Sequence, residues 1–111
     1  MKLPAGSRAI ADIRKIRDYC LNPAHPRGRH KARIFKSLLG LAQSDAKFLQ
    51  EQLLHAAKHG NAIAGYTDTH GRRYQIDFSV RKGGRYATIR SSWIIRRGES
   101  RPRLTSCYVI I

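Results

Sequence analysis

The densest group of residues with chemical potential lies at positions 27–33, which read Arg-Gly-Arg-His-Lys-Ala-Arg. His30 can act as an acid or base near neutral pH, and Lys31 can neutralise a phosphate. Cations are unfavourable at the start of a helix, whereas anions bind there. A helix that starts with cations therefore indicates an anion site, although the Lys31 stem could equally cover the edge of the core.

A second group lies on two predicted strands, at 86–96 and 104–110. Arg90 offers a fixed fork of donors that fits phosphate, and hydroxyl groups can donate beside it. Tyr108 could stack on a base or transfer a proton. The same residues could also be ordinary polar side chains on an exposed sheet face. The strand candidates are Thr88, Arg90, Ser92, Arg103, Thr105 and Tyr108.

Two geometric expectations follow from regular strands. Tyr108 would face away from Arg103 and Thr105, because side chains alternate between the two faces of a sheet. Arg90 and Lys31 would lie on opposite sides of the sheet if the odd face of strand 86–96 packs on the helices. A bulge or a strongly twisted sheet end could bring them together.

The remaining ionisable residues exclude several kinds of site. The seven Asp and Glu residues are scattered, and no two form a plausible pair for Mg²⁺. His55 and His59 have a spacing that could hold a metal, but no Asp, Glu or Cys supports them. We predict no metal and no cofactor. His, Lys, Arg, Thr and Tyr suit RNA cleavage, in which the 2′-hydroxyl is the nucleophile.

The charge of the chain predicts an anionic partner. The 111 residues contain 22 Lys and Arg against seven Asp and Glu, a net charge of +15. The excess lies in residues 1–36 and 67–111, while residues 37–66 are neutral. Nucleic acid is the first candidate partner and an acidic protein the second. A membrane is the weakest, because no apolar run could span one and no signal peptide begins the chain.

The elements that must position these residues form one domain, 1–111. Apolar spacing predicts three helices within about 8–60, capped by Asp12, Ser44 and Gly40. Period-two patterns within about 61–111, with a turn at Lys82-Gly83-Gly84-Arg85, predict strands. The predicted fold class is α+β, with three N-terminal helices packed on a C-terminal antiparallel sheet of about four strands. Cys20 and Cys107 are expected to be buried thiols, although a disulfide is possible.

Several segments resemble an uncharacterised bacterial domain family that is similar to toxin domains of toxin–antitoxin and polymorphic-toxin systems. The resemblance covers nearly the whole chain. Its residues are Asp18-Tyr19-Cys20-Leu21-Asn22-Pro23-Ala24-His25-Pro26, Gly28-Arg29-His30-Lys31-Ala32-Arg33-Ile34-Phe35, Arg90-Ser91-Ser92-Trp93-Ile94-Ile95 and Pro102-Arg103-Leu104-Thr105-Ser106-Cys107-Tyr108. Helices followed by a sheet that ends in a Thr/Tyr strand also resemble the barnase–EndoU–colicin–RelE-like (BECR) ribonuclease superfamily.

The resemblance implies a metal-independent ribonuclease that acts in the bacterial cytosol, with RNA as substrate and an acidic antitoxin or immunity protein as partner. The catalytic candidates are His30, Lys31, Arg90, Thr105 and Tyr108. The nucleic-acid-binding candidates are Arg27, Arg29, Arg33, Thr88, Ser92 and Arg103. Two alternatives stay open: a non-catalytic nucleic-acid-binding module, and a basic domain that binds an acidic protein.

Overall fold

A four-stranded antiparallel sheet forms the second half of the chain in the computed structural model, which describes residues 1–111. The strands are β1 Ala62–Asp68, β2 Gly71–Lys82, β3 Arg85–Arg96 and β4 Arg103–Ile110. They lie side by side in chain order, so β1 and β4 are the two edges.

The alternating pattern of the sequence explains why these segments are strands. Ile89, Ser91, Trp93 and Ile95 of β3 are buried, as predicted for the odd face of this strand. The turn between β2 and β3 uses Gly83 (φ 56°) and Gly84 (φ 80°), because both central residues of this tight hairpin need positive φ. This hairpin fixes the register that places Asp77 beside Arg90.

Three helical elements pack on one face of the sheet. The first, α1, begins as one α-helical turn, Ile13–Lys15, and continues as a π-helical turn, Ile16–Cys20. The others are α2, Arg29–Leu39, and α3, Ala46–His59. Short 3₁₀ turns cover Gly6–Arg8 and Gln43–Asp45.

Two of the three predicted helix caps are confirmed. The carboxylate of Asp12 accepts a hydrogen bond of 2.9 Å from the backbone N–H of Arg14. Gly40 ends α2 at φ 68°, the left-handed region that favours glycine. The predicted Ser44 cap is wrong, because α3 begins two residues later. Asp45 accepts a bond from the Ala42 N–H instead and thereby shapes the turn before α3.

The predicted fold class is wrong in its helical layer. The chain is α+β with a four-stranded antiparallel sheet, but its helices are partly N-terminal and partly central, and α3 directly precedes the sheet.

The first helix is also not a regular α-helix. Ile10 is held to β4 by a parallel bridge to Arg103, and Pro23 prevents the helix from continuing beyond Leu21. The Leu21 N–H then bonds to the Ile16 carbonyl, which gives the π turn.

One apolar core joins the helices to the inner face of the sheet. It includes Ile16, Phe35, Leu49, Leu53 and Trp93, which are essentially unexposed. The polar group buried among them is satisfied: the Trp93 indole N–H donates to Ser91 Oγ at 2.9 Å, and that hydroxyl donates to the Ile76 carbonyl at 2.8 Å. These bonds remove the cost of burying a hydroxyl and an indole N–H. The inner face is thus a packed support, and the candidate site residues on the strands lie at the sheet edge and outer face.

Candidate nucleic-acid interface

The ammonium group of Lys31 lies between two tyrosine rings at the β4 edge. Its Nζ atom is 5.4 Å from the ring centroid of Tyr19 and 5.3 Å from that of Tyr108. Aromatic faces attract cations, so the two rings hold the charge in place. Lys31 thereby joins the first turn of α2 to the π turn of α1 and to β4. All three side chains are half-buried, which leaves part of the ammonium open to a ligand.

Arg90 approaches Tyr108 from the neighbouring strand, where the two residues are cross-strand partners. Its guanidinium also forms a two-pronged ion pair with Asp77 on β2, with both N···O distances 3.0 Å. The Asp77 carboxylate first, and then the Tyr108 hydroxyl, raise the pKa of Arg90, so this group stays charged. Lys31 is on a helix and Arg90 is on the opposite face of the sheet. Because Tyr108 is on an edge strand, its ring contacts Lys31 and also lies beside Arg90.

A β-bulge at Thr105 changes which face Tyr108 occupies. Ser92 pairs with Ser106 while Trp93 pairs with Leu104, so Thr105 is an extra residue in β4. The Thr105 hydroxyl donates to the Ser92 carbonyl at 3.1 Å. Because the bulge shifts the alternation by one, Tyr108 lies on the same face as Arg103. The expectation that they face opposite ways, which assumed a regular strand, is wrong for this reason.

His25 is a residue of the site that the sequence analysis missed. Its ring packs edge-on against Tyr19, with centroids 4.7 Å apart. Its Nδ1 accepts hydrogen bonds of 3.0 Å from the backbone N–H groups of Arg27 and Gly28. In this arrangement Nδ1 is unprotonated and Nε2 carries the ring proton, so the ring can donate a hydrogen bond to an anion. The two prolines that flank His25 were the available signal, because they indicate a fixed loop.

An open cleft of about 610 Å³ adjoins this group of residues. Its two carboxylates are already occupied: Asp12 by Arg14 at 3.0 Å, and Asp18 by Arg17 at 2.8 Å. These arginine hydrogen bonds lower the pKa of both carboxylates. The positive groups left for a ligand are therefore Lys15 and Arg27, together with the His25 N–H. The lining is Asp12, Arg14, Lys15, Asp18, Tyr19, His25, Arg27 and Thr105.

The other predicted site residues are spread more widely. The His30 side chain is exposed and forms no hydrogen bond or ring contact with this group. Arg29 and Arg33 line a different cavity, between α2 and the Gln43–Asp45 turn. Thr88 is exposed on the face that carries Arg90, and Ser92 lies between them and the bulge.

Arg103 pairs with Glu99 through its Nε atom at 3.0 Å. This ion pair occupies the guanidinium, so Arg103 is less available to an anion than Arg27. The roles of all eleven predicted site residues stay predictions.

No group of three or more His, Cys, Asp or Glu side chains is placed to hold a metal ion. His55 and His59 lie with ring centroids 4.7 Å apart, and no third ligand adjoins them. No helix is both long and apolar enough to cross a membrane.

The two cysteines lie directly beneath the tyrosines. Cys20 follows Tyr19 and Cys107 precedes Tyr108; both are free thiols and fully buried. The neighbouring Cys20 thiol and then burial raise the pKa of Cys107, so this group is a neutral thiol at pH 7. The two thiols thus form a buried contact between α1 and β4, next in sequence to the two tyrosines.

Comparison with known proteins assigns the chain to a domain family and shows a solved structure with a similar fold. No curated protein matches the chain. A solved chain in a contact-dependent growth inhibition toxin–immunity protein complex from Klebsiella pneumoniae 342 has the same fold, with a TM-score of 0.72. The match covers 96% of this chain and 97% of that chain at 16% identity.

A family model matches residues 2–111, nearly the whole chain. That model describes a domain of unknown function, DUF6883. The predicted resemblance to an uncharacterised domain family is thereby confirmed, whereas the BECR ribonuclease superfamily stays a prediction. The chain belongs to the DUF6883 family.

Proposed function

We propose that this domain is a metal-independent ribonuclease toxin. The observation that carries the proposal is the Lys31 ammonium held between Tyr19 and Tyr108, with Arg90 beside Tyr108. Cations that are fixed before the substrate arrives stabilise developing negative charge without a reorganisation cost. The half-buried tyrosine rings beside the β4 edge also suit single-stranded RNA, whose unstacked bases pack on aromatic side chains.

In the proposed reaction the 2′-hydroxyl of the RNA attacks the adjacent phosphorus. The 2′-oxygen forms a bond to phosphorus, the bond to the 5′-oxygen breaks, and the products are a 2′,3′-cyclic phosphate and a 5′-hydroxyl. Lys31 and Arg90 stabilise the charge of the phosphorane, and the His25 Nε2–H donates to a phosphate oxygen. Thr105 lines the cleft at the bulge, and its hydroxyl orients the phosphate by turning from the Ser92 carbonyl to a phosphate oxygen.

Proton transfer is assigned to Tyr108 and His30. A proton must leave the 2′-hydroxyl and another must reach the 5′-oxygen. Tyr108 is the ionisable hydroxyl that lies between the two cations. His30 precedes Lys31 in the first turn of α2. Its ring is exposed, and bound RNA would bring a phosphate to it.

The fold and the charge together support a toxin role. The similar chain lies in a toxin–immunity protein complex. The strongly positive charge of the present domain favours the toxin side, because such a surface suits RNA as substrate and an acidic immunity protein or antitoxin as partner. The site of action would be the bacterial cytosol, where RNA is available.

A second candidate function is RNA binding without cleavage. One observation favours it: His25, the histidine that contacts the Tyr19 ring, is held with its proton on Nε2 by two backbone N–H groups. A ring fixed in this way donates a hydrogen bond but does not readily shuttle a proton. Such a module would bind RNA through the same residues and release it intact.

One experiment separates these functions. Pure protein is incubated with single-stranded RNA in excess EDTA, and the product ends are identified. The proposal expects cleavage with 2′,3′-cyclic phosphate ends, and no cleavage of RNA that carries 2′-O-methyl groups. Intact RNA that is bound but not cut would contradict the ribonuclease and support the binding module.

A further inference from the structure

The face of α2 that is turned away from Lys31 borders a second positive cavity of about 610 Å³. Its rim carries Arg29, Arg33 and Lys36, which are spaced four and three residues apart and so share one side of the helix. All three side chains are exposed, and none forms an ion pair. The rim therefore offers three free cations along two helical turns.

The floor of this groove is aliphatic. Leu21, Pro23, Ala32, Leu41 and Ala42 line it, and the remaining lining residues are Ser37, Gln43 and Ser44. No aromatic residue lies in it, so it offers no stacking surface to a nucleobase. An aliphatic floor instead suits an apolar side chain of another protein, which gains free energy when it leaves water.

The two positive surfaces of α2 thus differ in kind. Lys31 adjoins tyrosine rings, whereas Arg29 and Arg33 adjoin aliphatic side chains. A nucleic-acid strand would use free cations but would leave this apolar floor uncovered. A protein segment with carboxylates around an apolar anchor would satisfy both the rim and the floor, as interfaces with an apolar centre and a charged rim do.

We infer that this groove, between α2 and the Gln43–Asp45 turn, is the docking site for an acidic protein segment that presents an aliphatic side chain. The occupant is a helix with acidic residues on one face, whose carboxylates pair with Arg29, Arg33 and Lys36 while its aliphatic anchor lies on the floor. The inference rests on the proposed toxin function only for the biological role of that partner. In that role the groove is where an immunity protein or antitoxin holds the toxin without occupying the Lys31 site.

The test uses a dye-labelled synthetic helical peptide with three glutamates spaced four and three residues apart and one leucine on the same face. Its binding to the full chain is measured by fluorescence anisotropy. The double variant Arg33→Glu/Lys36→Glu is expected to weaken binding by at least about tenfold, because two attractive contacts become repulsive. The matched control Lys58→Glu/Arg97→Glu makes the same charge change at two exposed positions that do not line the groove, and should change the Kd by less than about threefold.

Two further measurements make the result specific. Replacing the peptide's leucine with serine should weaken binding to the unmodified protein by about tenfold or more, through the lost apolar contact. Lys31→Ala should leave peptide binding almost unchanged, so failure of the ribonuclease proposal and failure of this one are distinguishable.

Three outcomes would overturn the inference. The first is an equal loss of peptide binding in both double variants, which would mean a general charge effect. The second is a peptide affinity that stays the same when the peptide's leucine is replaced with serine. The third is a 2′-O-methyl RNA strand that loses as much affinity as the peptide in Arg33→Glu/Lys36→Glu, since the groove would then be a nucleic-acid surface.

Discussion

At the scale of single residues, the site depends on how each charge is held. Lys31 has no carboxylate partner and is positioned by two aromatic faces. Arg90 is instead bound to Asp77, which fixes its direction but also neutralises part of its field. The two cations therefore have different roles: Lys31 is free to bind a phosphate, while Arg90 is oriented and partly screened.

Asp77→Asn is expected to strengthen RNA binding about threefold to tenfold, because it releases the Arg90 charge. The free energy of unfolding should fall by less than about 1 kcal/mol, since the pair is about one-third exposed and such pairs contribute little. Filter binding with 2′-O-methyl RNA and urea denaturation measure the two effects. Weaker RNA binding in a folded variant would mean that Asp77 orients Arg90 more than it screens it.

At the scale of elements, the site is held together by close backbone contact between α1 and α2. Gly28, just before α2, lies against the backbone of Tyr19. A Cβ atom at position 28 would overlap the carbonyl oxygen of Tyr19 and would lie 3.1 Å from the Cδ1 atom of the Tyr19 ring. A larger residue at position 28 would push apart the two elements that carry Lys31 and Tyr19.

Gly28→Ala should destabilise the protein by about 1–3 kcal/mol and also slow RNA cleavage, because overpacking forces the backbone to shift. Gly65→Ala is the matched control. Its Cβ would meet nothing nearer than 3.4 Å, so urea denaturation should show a small effect. A Gly28→Ala variant as stable and as active as the Gly65→Ala control would contradict the contact.

The sequence predicts regular elements well and irregular ones poorly. Alternating apolar residues and the Gly83-Gly84 turn are enough to predict β2 and β3, because both signals are local. The Thr105 bulge depends on the pairing of distant residues, Ser92 with Ser106, and no apolar spacing in the sequence marks the π turn at Ile16–Cys20. These irregular features lie at Tyr19 and Tyr108, so the sequence could name Lys31, Arg90 and Tyr108 as candidates but not Tyr19, His25 or the arrangement of the group.

At the scale of the whole molecule, most of the charge is unneutralised. Six ion pairs use six of the 22 Lys and Arg residues and six of the seven carboxylates. The unpaired cations repel one another, which destabilises the folded state and attracts polyanions. Two surfaces bordered by α2 hold part of this charge: an aromatic one at the β4 edge and an aliphatic one beside the Gln43–Asp45 turn.

Salt should therefore act in opposite directions on folding and on RNA binding. From about 50 mM to about 200 mM NaCl, the affinity for RNA should fall at least tenfold, because each released counterion gains less entropy when the surrounding salt is more concentrated. The free energy of unfolding should rise over the same range as repulsion is screened. Affinity that does not change with salt would contradict an interface built on these cations.

The most direct test of the central claim compares the initial rates of RNA cleavage, in EDTA, of the unmodified protein, Lys31→Ala and Lys58→Ala. Both variants remove one lysine from a helix surface, but only Lys31 contacts Tyr19 and Tyr108. We predict a loss of about 100-fold or more for Lys31→Ala, the size expected when a group that stabilises the transition state is removed, and less than about twofold for Lys58→Ala. Equal rates for the two variants would contradict the assignment of the cleavage site to the β4 edge.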